Sequence, residues 1–154
     1  ATLTKQYGLE DKITFLGKCS DLQMKEAFLN ANVFALPSTI ENSPNSLGEA
    51  MLLGVPCVAA DVGGVADLLR HKEEGYVYQP SASYMLAYYI KQVFAMEEKA
   101  AVLGYEAKQH AASGHWIIHM AFYITDLQAP KRMQSHSDDS VFHLQHTLLF
   151  SSLM

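Results

Sequence analysis

The feature that most constrains the fold is a pair of apolar runs without polar alternation, at residues 33–36 and 55–60. A strand with one face in water alternates apolar and polar residues, whereas a strand covered on both faces is apolar throughout. Helical patterns and turn residues separate these runs, and a third short run, Tyr76 to Tyr78, follows Gly75. This order predicts βαβ units, and therefore an α/β fold with a parallel sheet and flanking helices.

The remaining elements are predicted from periodicity and turn residues. Ile13 to Leu16 reads as a strand closed by Gly17. The first predicted helix begins with Asp21 as its N-cap, and the next two span 46–53 and about 65–69. A longer helix runs from Ser81 or Ser83 to about 97, and two more cover about 98–112 and 116–127. Residues 1–128 are therefore expected to form a Rossmann-like domain. Residues 129–154 are expected to be a tail that is poorly ordered or forms a helix only with a partner.

Composition excludes several function classes. The 154 residues suit one domain, and 11 Lys and Arg against 16 Asp and Glu give a net charge of -5, which argues against a nucleic-acid binder. Cys19 and Cys57 are too few for a disulfide framework or a zinc site, and they favour a reducing compartment. Histidine pairs at 115 and 119 and at 143 and 146 lack a convincing third ligand, so no metal site is predicted.

The segment from Pro37 to Met51 concentrates the polar chemistry at a strand-to-helix junction, where ligands bind in open α/β sheets. Glu41 and Glu49 have seven residues between them, and a helix N-terminus between them offers backbone N–H groups to an anion. Carboxylates on both sides of an anion site are suited to accept hydrogen bonds from sugar hydroxyls. A ligand with hydroxyls at both ends and a diphosphate between them is a nucleotide sugar. The alternative from the residues alone is that both glutamates are solvated surface acids.

These residues also carry a resemblance. The chain contains, in order, Pro-Ser at 37–38, the E-x7-E pair, Glu-Ala-Met at 49–51, Leu-Gly-Val-Pro at 53–56 and Val-Ala-Ala-Asp-Val-Gly-Gly at 58–64. This set of motifs resembles the C-terminal, donor-binding domain of family 4 (group 1) retaining glycosyltransferases. The resemblance covers about residues 8–112. It implies a Rossmann-like parallel sheet with flanking helices, which is the C-terminal half of a GT-B fold truncated at its N-terminal side. Residues 1–128 would then be part of a nucleotide-sugar-binding domain.

The resemblance also implies roles for single residues. Glu49 would accept hydrogen bonds from the ribose hydroxyls, and Glu41 would contact the transferred sugar as the catalytic candidate. The backbone of three residues at the helix start would meet the diphosphate or sugar: Asn45, Ser46 and Leu47. Three weaker candidates would border the base: Leu16, Gly17 and Lys18.

The implied ligand is a UDP-, GDP- or ADP-linked sugar, with no cofactor and no obligatory metal. The acceptor would bind to a separate N-terminal domain that is missing here, so this chain alone is expected to transfer no sugar. The resemblance implies a cytoplasmic protein. The full-length protein could also associate peripherally with the inner face of the membrane. An exposed sheet edge and the apolar tail also make self-association an expectation.

Two other functions remain open at this stage. One is a non-catalytic nucleotide-sugar-binding or interaction module that keeps the GT-B shape but has lost transfer. The other is half of an epimerase or phosphorylase, which the E-x7-E block fits less well.

Overall fold

The computed structural model describes residues 2–41, 44–113 and 148–150. The helices of these residues are α1 (Thr2–Gln6), α2 (Asp21–Asn30), α3 (Asn45–Leu52), α4 (Val65–Leu68), α5 (Ser83–Ala95) and α6 (Glu97–Ser113). The strands are β1 (Val33–Leu36), β2 (Cys57–Ala60), β3 (Gly75–Tyr78) and β4 (Leu148–Phe150). The predicted helix at 116–127 and the histidines at 115, 119, 143 and 146 lie outside the described residues.

All four strands are parallel, in the order β3-β2-β1-β4, which confirms the predicted parallel sheet with flanking helices. Ala35 pairs with Val58, and Val58 pairs with Tyr76, so the chain passes from β1 to β2 to β3 in adjacent positions. Because parallel strands point the same way, the segments that follow β1, β2 and β3 emerge at one edge of the sheet. That edge includes the Pro37–Glu41 loop.

The other side of β1 carries β4, which comes from the segment predicted to be a tail. Val33 pairs with Leu148 and Ala35 with Phe150. This side of β1 is therefore paired over these positions with a strand of the same chain. Sequence patterning gave no cap or period that indicated this strand.

The prediction of a strand at Ile13–Leu16 is wrong. These residues have no regular secondary structure and are exposed, Phe15 to 70%. Their β-branched and aromatic side chains favour a strand, but a strand also needs a neighbour that completes its backbone hydrogen bonds. Among the described strands, both sides of β1 and of β2 are already paired.

The sheet separates two apolar clusters, and alternate residues of β1 and β2 enter each of them. On one face Phe34 and Leu36 pack with residues of α2, α3 and α6: Phe28, Leu47, Met51, Ala107 and Ala111. On the other face Val33 and Val58 pack with residues of β3, α5 and α6: Tyr76, Tyr78, Val93, Ala100 and Leu103. Burial on both faces explains why the strand sequences lack polar alternation.

Helix α6 packs closely against the turn that ends α3. Gly54 has φ +74°, a left-handed conformation that suits glycine, and its amide donates to the Met51 carbonyl over 2.9 Å. A Cβ atom on Gly104 would lie 2.3 Å from the Gly54 carbonyl oxygen. The close approach therefore depends on glycine at position 104, and it fixes the C-terminal end of α3.

Two boundary details differ from the sequence interpretation. The N-cap of α2 is Ser20 rather than Asp21, because Ser20 and Gln23 form a reciprocal capping box. Helix α5 begins at Ser83 and its N-cap position, Ala82, makes no side-chain hydrogen bond.

Within the described ranges, no helix has both the length and the apolar character needed to cross a bilayer.

Candidate functional site

The first part of the site is the loop after β1, which contains Glu41. This side chain is only 6% exposed, and its carboxylate accepts a hydrogen bond of 2.7 Å from the Ser38 hydroxyl. Pro37 ends the strand, and the loop then brings Ser38 and Glu41 together. A carboxylate oxygen has more than one acceptor site, so the group retains capacity for a ligand hydroxyl. The serine therefore orients a largely desolvated acid at the carboxyl end of β1.

The second part is the N-terminus of α3, which starts at Asn45 behind Pro44. No side chain of the described residues caps this end. The Leu47 and Gly48 amides donate to the Pro44 carbonyl at 3.0 and 3.3 Å, so two of the first-turn N–H groups are used within the helix. The positive end of the helix dipole still points toward the loop that holds Glu41. Asn45 is exposed and Ser46 half-buried, which makes them the accessible residues of this turn.

The third part is Glu49, one turn further along α3. Its side chain is half-buried, whereas those of Leu47 and Ala50 on either side are fully buried in the core. Leu47 is buried and its amide donates to the Pro44 carbonyl, so its expected contact with a ligand stays a prediction. Glu41, Asn45, Ser46, Leu47 and Glu49 therefore belong to one short strand-to-helix unit, as the spacing predicted.

The three weaker candidates lie elsewhere. Leu16, Gly17 and Lys18 are exposed and form part of the irregular segment before α2. Gly17 has φ +66°, a left-handed backbone conformation, but it closes no strand. Their proposed contact with a base stays a prediction.

The same edge of the sheet also holds Asp61 and Gln79, which follow β2 and β3. The Gln79 amide donates to the Asp61 carboxylate over 3.0 Å, and the Asp61 amide donates to the Tyr78 carbonyl over 2.8 Å. Both side chains line a cavity of about 270 Å³ with Tyr78, Tyr84 and Met85. The sequence analysis named Ser38 and Asp61 only as members of motifs, without a role, and it did not single out Gln79. The signal for Ser38 was its place three residues before Glu41.

Nothing in the described part of the chain forms a metal site, since no three His, Cys, Asp or Glu side chains gather there in ligand geometry. Cys57 is buried, its Sγ lies 3.1 Å from the Val55 carbonyl oxygen, and burial raises the pKa of its thiol. A thiol in this state is unsuited to nucleophilic chemistry.

Comparison with known proteins gives the family. Residues 1–110 match the family model described as glycosyl transferases group 1. A curated relative is N-acetyl-alpha-D-glucosaminyl L-malate synthase of Bacillus anthracis, which is 30% identical over 107 residues. The match covers 70% of this chain and 28% of the relative, so the chain spans less than a third of that protein's length.

Solved structures share the fold. Sucrose-phosphate synthase of Thermosynechococcus elongatus matches with a TM-score of 0.70 and 28% identity, covering 73% of this chain and 28% of that one. Anabaena HepE in complex with UDP matches with a TM-score of 0.68 and 28% identity, covering 73% and 30%. The same Anabaena protein has also been solved with UDP-glucose. The Rossmann-like architecture is therefore that of GT-B glycosyltransferases.

Proposed function

The chain belongs to the group 1 glycosyl transferases, and we propose that it binds the nucleotide-diphosphate sugar donor of a retaining, family 4 enzyme. The observation that carries this proposal is the strand-to-helix unit from Ser38 to Glu49. It places a desolvated, serine-bound carboxylate at Glu41 beside the N-terminus of α3, whose N-cap residue, Pro44, supplies no side-chain hydrogen bond. This combination supplies hydroxyl acceptors and an anion site in one place.

In the proposed complex, Glu49 accepts hydrogen bonds from the ribose hydroxyls and Glu41 contacts the transferred hexose. The diphosphate lies at the start of α3, near Asn45 and Ser46. The similar Anabaena protein has been solved with UDP and with UDP-glucose, which favours uracil as the base and glucose as the first sugar to test.

During transfer, the bond between the anomeric carbon and the diphosphate oxygen breaks, and negative charge develops on the leaving diphosphate. The dipole of α3 and its accessible first-turn amides favour that charge. Preorganised donors of this type act most strongly where water is excluded, and the Glu41 side chain of the adjacent loop is only 6% exposed. A hydroxyl oxygen of the acceptor then bonds to the anomeric carbon on the face that the diphosphate leaves, which retains the configuration, and the hydroxyl proton passes to the leaving diphosphate oxygen.

We expect the 154-residue chain to bind donor without transferring sugar. It spans only 28% of the length of the Bacillus relative, and the acceptor has to be positioned opposite the donor by further structure. Donor binding is therefore the activity to measure.

Isothermal titration of the chain with UDP, GDP and ADP and with their glucose conjugates tests the proposal. Saturable binding of one nucleotide class is expected. Glu49→Ala should weaken it by about 1.5–3 kcal/mol, because it removes a charged hydrogen-bond acceptor. Ser38→Ala should weaken binding of the glucose conjugate more than binding of the free diphosphate, since Ser38 orients Glu41.

Glu26→Ala is the matched control, because Glu26 is an exposed helix acid on α2. Thermal unfolding of each variant checks that the fold is retained. Equal binding by the folded Glu49→Ala variant and the unchanged chain would contradict the assigned role of Glu49. Absence of binding at millimolar ligand would contradict donor binding by this chain.

A further inference from the structure

A second cavity adjoins the cavity of Asp61 and Gln79, and Met85 and Tyr89 line both of them. It measures about 390 Å³ and is formed by the segment that enters β3, by α5 and by the start of α6. Its polar lining includes Lys72, Gln92 and Lys99. Lys72 and Tyr76 place part of its lining at the amino end of β3, whereas Glu41 follows the carboxyl end of β1.

Three aromatic residues build one wall of this cavity, Tyr76, Tyr88 and Tyr89. Tyr76 and Tyr89 stack face to face with ring centroids 4.6 Å apart and planes 9° from parallel. Tyr88 meets Tyr89 edge to face at 5.3 Å and is 51% exposed. The fixed stack is a rigid aromatic support, and Tyr88 presents much of its ring to solvent.

Two ammonium groups flank the aromatic wall. Lys99 Nζ lies 5.8 Å from the centroid of the Tyr76 ring, a cation–π distance that holds it over the cavity. Lys72 is in the left-handed conformation at φ +68°, which is strained for a residue with a Cβ atom. Its amide closes a tight turn to the Gly75 carbonyl over 2.7 Å. Among the described lining residues there is no carboxylate, although the whole chain carries a net charge of -5.

The neighbouring charged groups do not cancel this local positive charge from within the cavity. A carboxylate oxygen of Glu73 lies 3.6 Å from Nη1 of Arg70. The carboxylate of Glu74 accepts hydrogen bonds from the backbone amide and the guanidinium of Arg70. Glu97 and Glu98 are exposed at the start of α6 and lie outside the lining. His71 accepts a hydrogen bond from the Val77 amide at Nδ1, over 3.0 Å, which is the arrangement of a neutral ring.

This chemistry selects among ligand classes. A planar base cannot insert between Tyr76 and Tyr89, because these two rings are already stacked on each other. An amphipathic helix needs an apolar groove, whereas Met85 is the single aliphatic residue among the described lining. Sugar rings place C–H faces on aromatic rings and hydroxyls toward phenol and amide groups. Lysine ammonium groups bind carboxylates or phosphates.

We propose that this cavity is a secondary site for an anionic saccharide, whose sugar ring packs on Tyr88 and Tyr89 and whose acidic group lies between Lys72 and Lys99. Gln92 supplies a hydrogen bond to a ring hydroxyl. The volume is in the range of small-ligand sites and suits one or two sugar residues. The site is independent of donor binding, because it shares no residue with the Ser38–Glu49 unit.

The test is titration of the isotope-labelled 154-residue chain with trigalacturonate, followed by amide chemical shifts. Saturable shifts are expected around Lys72, Tyr88 and Lys99, with weakening as salt rises because the interaction is partly ionic. Maltotriose, a neutral trisaccharide, and inorganic phosphate separate ring stacking from charge. Each is expected to bind at least about fivefold more weakly than trigalacturonate, since each makes only part of the contacts.

Lys72→Gly is the informative variant, because glycine relieves the left-handed strain while removing the ammonium group. It should keep or raise thermal stability and weaken trigalacturonate binding about tenfold, and Lys99→Met should weaken it similarly. Lys91→Met is the matched control, since Lys91 is an exposed lysine of α5 outside the lining.

Absence of saturable trigalacturonate binding would overturn the proposal, as would equal binding of maltotriose or of inorganic phosphate. Unchanged affinity in Lys72→Gly and Lys99→Met would do the same. Glu49→Ala should leave trigalacturonate binding intact, so failure of the donor proposal and failure of this one are distinguishable.

Discussion

The contact between Gly104 and Gly54 predicts that Gly104→Ala destabilises the protein, against the usual effect of alanine in a helix. A new Cβ would lie 2.3 Å from the Gly54 carbonyl oxygen and 3.1 Å from its carbon. Close C–H···O contacts occur at about 3.3–3.6 Å, so the two backbones must separate by about 1 Å.

Two opposing contributions determine how far the free energy of unfolding changes in Gly104→Ala. Overpacking of this kind costs about 1–3 kcal/mol, and the upper end applies because both partners are backbone rather than a flexible side chain. Alanine regains about 1 kcal/mol over glycine through helix propensity. The free energy of unfolding should therefore fall by about 2 kcal/mol, and Tm by about 4–8 °C.

Urea unfolding followed by circular dichroism measures this change, with the m-value checking that the unfolded reference is unaltered. Ala101→Gly is the control, because Ala101 is exposed on the same helix and should lose only about 1 kcal/mol of propensity. A Gly104→Ala variant as stable as the unchanged chain, or more stable, would refute the packing of α6 on the end of α3.

Two further predictions concern buried titratable groups. Burial by itself raises the pKa of Glu74, which is 1% exposed, but hydrogen bonds from Arg70 and the contact with His110 at 2.9 Å outweigh it and leave the pKa below its usual range. Its contribution to stability is then complete above the ordinary glutamate pKa and is lost as pH falls through the lowered value. Glu74→Gln should flatten the acid limb of a Tm-against-pH curve below about pH 4.5, and an equally steep limb in the variant would contradict this assignment. Native protein should react with one equivalent of a thiol reagent at neutral pH, through the half-buried Cys19, because burial raises the pKa of Cys57. Cys19→Ser should abolish that reaction, and rapid labelling of two thiols would show that Cys57 is accessible.

The sequence predicted the parts of this fold that depend on burial. The runs at 33–36 and 57–60 are apolar throughout because helices cover both faces, and this pattern is readable without a structure. The strand predicted at 13–16 failed because its residue types favour extended backbone but do not reveal whether a neighbour is present. Strand β4 was missed for the converse reason, since its pairing with β1 depends on contacts between residues more than 100 positions apart.

The candidate site shows the same division. The spacing of Glu41 and Glu49 placed both in one strand-to-helix unit, and the structure places them there. The orientation of Glu41 by Ser38 and the link between Asp61 and Gln79 required coordinates. The tyrosine and lysine cavity joins Lys72 with Lys99, and the packing of α5 and α6 against β3 brings those positions together.

The most direct test of the donor-site assignment is a titration of the isotope-labelled chain with UDP and UDP-glucose, observed at the backbone amides of Asn45 and Ser46. Both amides lie in the first turn of α3, where the diphosphate is placed. Saturable shifts at these two amides, larger than those at α6, are predicted for both ligands, with additional shifts at Glu41 for UDP-glucose. Saturable binding that leaves Asn45 and Ser46 unmoved would contradict the assignment, because the diphosphate would then lie elsewhere.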